Sequence, residues 1–235
     1  HANGDFEATL SAFVDTAVAA NEAGLGVNAG ITDPLCTTGS EVEVIHRRKI
    51  ASSLSEDNWA QRPLYHVVDS AYHHVRHTVP LLMACGSRLS PEYEFMKKAI
   101  TEYIEEEYGH EQWILNDIQH CGFDPEQVKN STPHLTTDMM VRYAYHQIDR
   151  KNPVGFFGMV FVLEGTSTAL ATQAAEVLKK SLGLPNKAFS YLLSHGSLDL
   201  EHVQFFEELV NKLKNKEDHR SIIQSAKAIF KLYGD

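Results

Sequence analysis

The chain has 235 residues, enough for one large domain, and its 43% hydrophobic content is ample for a core. Its formal net charge of −10 argues against a general nucleic-acid or anionic-membrane surface, which needs clustered positive charge. No apolar run reaches the roughly 18 residues of a membrane helix, and Cys36, Cys85 and Cys121 form no CxxC pair and no disulfide framework.

The thiols are expected to be small buried hydrophobes in a reducing cytoplasm. Residues 5–22 repeat apolar groups at helical spacing, and the Gly-rich stretch 24–39 reads as a loop. A second helix is predicted over residues 40–54. Arg62-Pro63 opens a helix running to Cys85-Gly86, with a kink or break at Pro80. Ser90-Pro91 sets an N-cap before a first-turn proline, and the helix it opens is predicted to run to Cys121-Gly122. Asp124-Pro125 starts a short helical turn, and residues 137–150 form a further helix. Asn152-Pro153 opens one that ends at Leu182-Gly183. Pro185 begins a segment through Ser194, followed by helices over about 197–213 and 217–233. No segment alternates with period two, so the expected fold is all-α: one helical bundle over residues 1–235, with short connections between antiparallel neighbours.

Three constellations carry chemistry. Glu107 and His110, in Glu-Glu-Glu-Tyr-Gly-His, stand at i and i+3 on a stripe with Ile100, Tyr103 and Ile114. A carboxylate on an apolar stripe is costly unless it is paired or binds a metal, and Glu-x-x-His is how di-iron bundles place two ligands from one helix. Glu106 is the alternative to Glu107; the more apolar face favours Glu107. Glu164 is the only charged residue between Lys151 and Glu176, on a face with Phe157, Val160 and Phe161, and needs a partner there. His195, Asp199 and His202 stand at i, i+4 and i+7 and line one face of a continuous helix. If Gly196 or Ser197 breaks it, Asp199 and His202 still pair and His195 arrives from the preceding turn. Together these are three carboxylates and three imidazoles without a thiolate, a set that suits iron or manganese and not structural zinc.

These residues resemble the heme-oxygenase-like di-iron oxidases and oxygenases, whose wider superfamily includes the thiaminase-2 and pyrroloquinoline-quinone synthase proteins. The matching stretches are Glu-Glu-Tyr-Gly-His-Glu-Gln-Trp with a following Asp117, Leu-Glu-Gly-Thr-Ser, and His-Gly-Ser-Leu-Asp-Leu-Glu-His, within residues 90–210. Residues 1–60 lie outside the resemblance. It implies a heme-oxygenase-like bundle of seven or eight helices, with Glu107, His110, Glu164, His195, Asp199 and His202 as ligands of two iron ions. It also implies dioxygen-dependent oxidation of a small organic substrate of fatty-acid, amino-acid or amine type. Tyr103, one turn before Glu107, is expected beside the metal or accessible to radical chemistry. The rivals are a non-catalytic metal- or ligand-binding module and a cofactorless oxidase resembling the quinone synthase.

Four histidines, His66, His73, His74 and His77, cluster on one helix, where His66, His73 and His77 form a stripe. A true heme oxygenase draws its haem ligand from such a helix, so haem is the nearest rival cofactor; none is expected here. Arg76 and Arg142 are candidates to pair with a substrate carboxylate. A homodimer is expected from base rates, and no nucleic acid or membrane partner is.

Overall fold

Prolines and side-chain caps set most of the helix starts. In the computed structural model, Asn152 Oδ1 accepts from Val154 N at 3.0 Å and Asp124 Oδ1 accepts from Glu126 N at 2.9 Å. Each cap precedes a proline in the first turn, where a missing N–H costs nothing. The structure describes residues 62–234, apart from the side chains of 62–64, 66, 168–170 and 196–204. The helices and loop expected before residue 61 lie outside the described residues.

The elements in chain order are α1 (Arg62–Val75), α2 (Thr78–Arg88), α3 (Glu94–Glu107), α4 (His110–His120), α5 (Pro125–Lys129), α6 (Leu135–Arg150), α7 (Phe157–Leu182), α8 (Ser190–Asn211) and α9 (Lys216–Gly234). Short 3-10 turns lead into α3 and α7 and precede α8. The fold is all-α, with no strand among the described residues.

Three boundaries sharpen or correct the expectations. The predicted break near Pro80 falls at Arg76-His77, which puts Pro80 in the first turn of α2 and relieves its clash with the carbonyl four residues back. The helix expected from Pro91 to Cys121 is two helices, parted at Tyr108-Gly109, where Gly109 takes φ 90°. That conformation suits glycine alone. Conversely, the end of the segment expected over 185–194 joins the helix expected over 197–213 in one helix, α8, unbroken through Gly196 and Ser197 and preceded by a 3-10 turn at Asn186–Ala188.

The break at Gly109 has a packing cause. The buried residues of α3, including Met96, Ile100 and Tyr103, belong to a core shared with α2, α6, α7 and α9. Those of α4, Ile114, Leu115 and Ile118, belong to a second core with α1 and the start of α8. The chain passes from one core to the other across two residues. α7 lies against both α8 and α9. Gly158 lets α9 approach closely: a Cβ there would sit 2.4 Å from Ile222 O and 2.6 Å from Ala226 N.

A buried polar knot ties α1 to the connection between α5 and α6. Ser131 Oγ donates to Asp69 Oδ1 at 2.9 Å, and His73 Nε2 lies 2.7 Å from the same hydroxyl. Burial pushes the Asp69 carboxyl up from 3.8 to about 6. The folded chain therefore holds a proton that the unfolded chain releases between about pH 4 and 6. The associated stability is full below that window and lost as pH rises through it. Asp69→Asn keeps the acceptor and removes the titration. Relative to wild type, it should gain up to about 3 kcal/mol between about pH 4 and pH 7 in urea unfolding. A difference that does not change with pH would mean Asp69 is not buried in this way.

Candidate metal centre

Glu107 closes α3, His110 opens α4, and His195 lies in the first half of α8. Each offers one donor atom, and those atoms lie within 4.8 Å of one another. All three side chains are buried. His110 Nδ1 donates to Glu107 Oε2 at 3.0 Å. His195 Nδ1 donates to the Tyr191 carbonyl at 3.0 Å, which leaves the lone pair of that ring on Nε2. A backbone carbonyl holding the far nitrogen of a metal-binding histidine is a recurrent supporting contact.

Aromatic rings fix both imidazoles. Trp113 packs on His110 with centroids 4.2 Å apart, and Tyr191 packs on His195 at 4.1 Å. The two imidazoles meet edge to face at 4.8 Å. Asp117, on the same helix as His110, reaches the start of α8. It accepts hydrogen bonds from Ser190 Oγ and, at 2.9 Å, from Tyr191 N. A buried carboxylate thus caps the helix that carries His195.

The cluster borders a cavity of about 60 Å³ that opens to solvent. Glu107 and His195 line one part; Leu81, Leu82, Val160 and Leu163 supply apolar walls. Glu164 and Tyr103 line the same space, though Glu164 is not part of the three-residue cluster. Glu106, the alternative ligand, is exposed. Asp199 and His202 follow His195 on the unbroken α8, and their side chains lie outside the described residues.

Of the four clustered histidines, the structure sends His73 to Ser131 and His77 toward Tyr145 of α6, while the side chain of His66 lies outside the described residues. His74, which the stripe did not include, lines the cavity. Burial pushes its imidazole down to about 4, with the nearby His195 adding to the effect. It is neutral near pH 7. Neither Arg76 nor Arg142 lines the cavity; Arg142 Nε pairs with Asp138 Oδ2 at 2.8 Å on the surface. Cys85 and Cys121 are buried, and burial pushes both thiols up to about 12, which suits the inert role expected of them. Cys36 lies outside the described residues.

Two imidazole nitrogens and one carboxylate form the three-ligand set of non-haem iron(II) oxygenases. The same set also serves catalytic zinc, so the donors fit iron without being exclusive to it. Fold and site together define an all-helical protein with a candidate metal centre of nitrogen and oxygen donors. Residues 65–234 match a haem-oxygenase-related family described as iron-containing redox enzyme, and the chain belongs to that family. No curated protein matches the chain. Among solved structures, one similar chain is a domain of unknown function with a heme oxygenase-like fold from Shewanella denitrificans OS217. Its TM-score is 0.70 at 19% identity, covering 98% of this chain and 88% of that one. Another is a CADD-like protein of unknown function from Nostoc punctiforme PCC 73102, with a TM-score of 0.66 at 18% identity, covering 97% of this chain and 93% of that one. At such identities the likeness speaks to the fold alone. Among the described residues, no single helix is long and apolar enough to cross a membrane.

Proposed function

We propose that the chain is a non-haem iron oxidase or oxygenase that uses dioxygen to oxidise a small organic molecule. The observation that carries this reading is the buried convergence of Glu107, His110 and His195 beside a largely apolar cavity, in a member of an iron-containing redox family. Ferrous iron bound by these residues would supply open coordination positions for dioxygen.

The chain's own residues have separable tasks. Glu107 and His110 hold each other in place across the helix break. Tyr191 fixes the tautomer of His195 through its carbonyl. The apolar walls exclude water from the reacting region. Tyr103, buried on the cavity wall and tilted against Phe205 at 5.6 Å, is the residue we assign to contact with substrate or to electron supply. Glu164, Asp199 and His202 belong to the same proposal as ligands of a second iron; Glu164 lines the cavity that the cluster borders.

Anaerobic titration of the metal-free protein with ferrous iron, followed by exposure to oxygen and optical and Mössbauer spectroscopy, tests this. Tight uptake of iron and an oxygen-dependent transient absorption are expected, with two irons per chain if the second set is complete. An absence of iron uptake would leave a ligand-binding or cofactorless member of the fold.

A further inference from the structure

The cavity has a polar group that the iron chemistry does not use. His74 sits on α1 with 6% of its surface exposed, and it lines the cavity together with Glu107 and His195. Its Nδ1 lies 2.9 Å from the Ser70 carbonyl, one turn earlier on the same helix. A carbonyl only accepts, so Nδ1 carries the hydrogen and Nε2 carries the lone pair. The nitrogen bonded back to its own helix holds the ring, and Nε2 is on the opposite side of it. Tyr233 braces the ring edge to face, at 5.9 Å and 90°. No described group bonds Nε2.

The rest of the lining sets what could satisfy that nitrogen. Among the described residues no lysine or arginine lines the cavity; Leu81, Leu82, Val160 and Leu163 are among its apolar walls, and Thr78 and Ser167 are further polar members of the lining. A fixed acceptor in such surroundings is costly when left without a donor. A site that offers a buried polar group to a substrate also discriminates strongly against analogues lacking the partner group.

We propose that His74 is the specificity-determining contact of this cavity. Its Nε2 accepts a hydrogen bond from a hydroxyl, amide or amine group on an otherwise aliphatic molecule, and so orients that molecule beside the Glu107–His110–His195 cluster. This rests on the cavity being the substrate pocket of the iron enzyme proposed above.

The test uses n-octanol and its methyl ether, which share a chain and differ in the donor. Calorimetric titration is done on iron-loaded and metal-free protein. Wild type should bind the alcohol about five- to tenfold more tightly than the ether, the span of one modest hydrogen bond. His74→Phe should bind both equally while keeping the ether affinity of wild type, an outcome that a merely structural role would not give. His74→Gln, which keeps an acceptor, should restore part of the preference. Equal binding by wild type, binding of neither probe, or a preference that survives His74→Phe would overturn the proposal. So would a Soret band on adding haemin that disappears in His74→Phe, because it would assign the imidazole to a haem. Iron uptake is measured on the same samples and should be unchanged by His74→Phe. A wild type that takes no iron yet prefers the alcohol would sink the iron reading and leave the contact standing.

Discussion

Alanine in place of His195 is expected to strip the protein of iron. Among the described residues, Glu107, His110 and His195 are the side chains whose donor atoms gather within 4.8 Å, so each removal leaves two of those three. Loss of a group that merely supports a ligand already costs about 10- to 100-fold in metal affinity. Loss of a ligand itself should therefore exceed about 100-fold, with oxygen consumption falling in parallel. The same result is expected for Glu107→Ala and His110→Ala. Glu106→Ala is the internal control: it is the adjacent carboxylate, it is exposed, and its loss should leave iron uptake unchanged. Glu164→Ala and His202→Ala then separate one iron from two. They should lower the iron count per chain from two toward one if both belong to a second site, and leave it unaltered if the three-residue cluster acts alone. Retained affinity in His195→Ala, with helicity intact by circular dichroism, would remove the cluster from consideration as the metal centre.

Gly158→Ala is expected to be the most damaging single methyl in the molecule. Its Cβ would stand 2.4 Å from Ile222 O and 2.6 Å from Ala226 N, both backbone atoms of α9, and real contacts do not approach so closely. Backbone has no rotamer by which to yield, so α7 and α9 must separate, opening the core that contains Phe157, Ile222 and Ile229. Overpacking typically costs 1–3 kcal/mol, and the rigid partner here places the expectation at about 3 kcal/mol, or a fall of about 10 °C in Tm. Gly165→Ala on the same helix serves as the contrast, since a Cβ there meets nothing among the described residues within 4 Å. It should be neutral or gain up to about 1 kcal/mol from helix propensity. Equal thermal stability of the two variants would mean that α7 and α9 do not approach as described.

The sequence was most legible where structure is made locally. Pro91, Pro125 and Pro153 each start a helical segment in the structure, because the fixed φ of proline acts at the first turn, and before Pro125 and Pro153 a side-chain oxygen caps that turn as well. It was misleading at Tyr108-Gly109 for an instructive reason. The buried positions Met96, Ile100, Tyr103, Glu107, His110, Ile114 and Ile118 keep helical phase across the break, so periodicity alone reads one helix. Only the exchange of one core for another requires the turn. At α8 the error ran the other way. Gly196 and Ser197 suggest a stop, but packing on α7 carries the helix through them, and its true start is capped by Asp117 from another helix. No local pattern reports a cap supplied 74 residues away. The gathering of Glu107, His110 and His195 was legible because these are titratable side chains in apolar surroundings. His74 was not: choosing among four neighbouring histidines requires knowing which face of α1 meets the cavity.

The reach of Asp117 to α8 has a further effect on how the centre assembles. α4 carries both His110 and Asp117, and α8 carries both Ser190 and His195, so the two helices are joined at two points two turns apart or less. Sliding either helix by one turn, 5.4 Å, breaks both junctions together. The two imidazoles are therefore brought into register when the helices dock. Such preorganisation means that the binding free energy of a metal is not spent on ordering the chain, and the apo protein should exist as a folded receptor instead of a chain awaiting its metal.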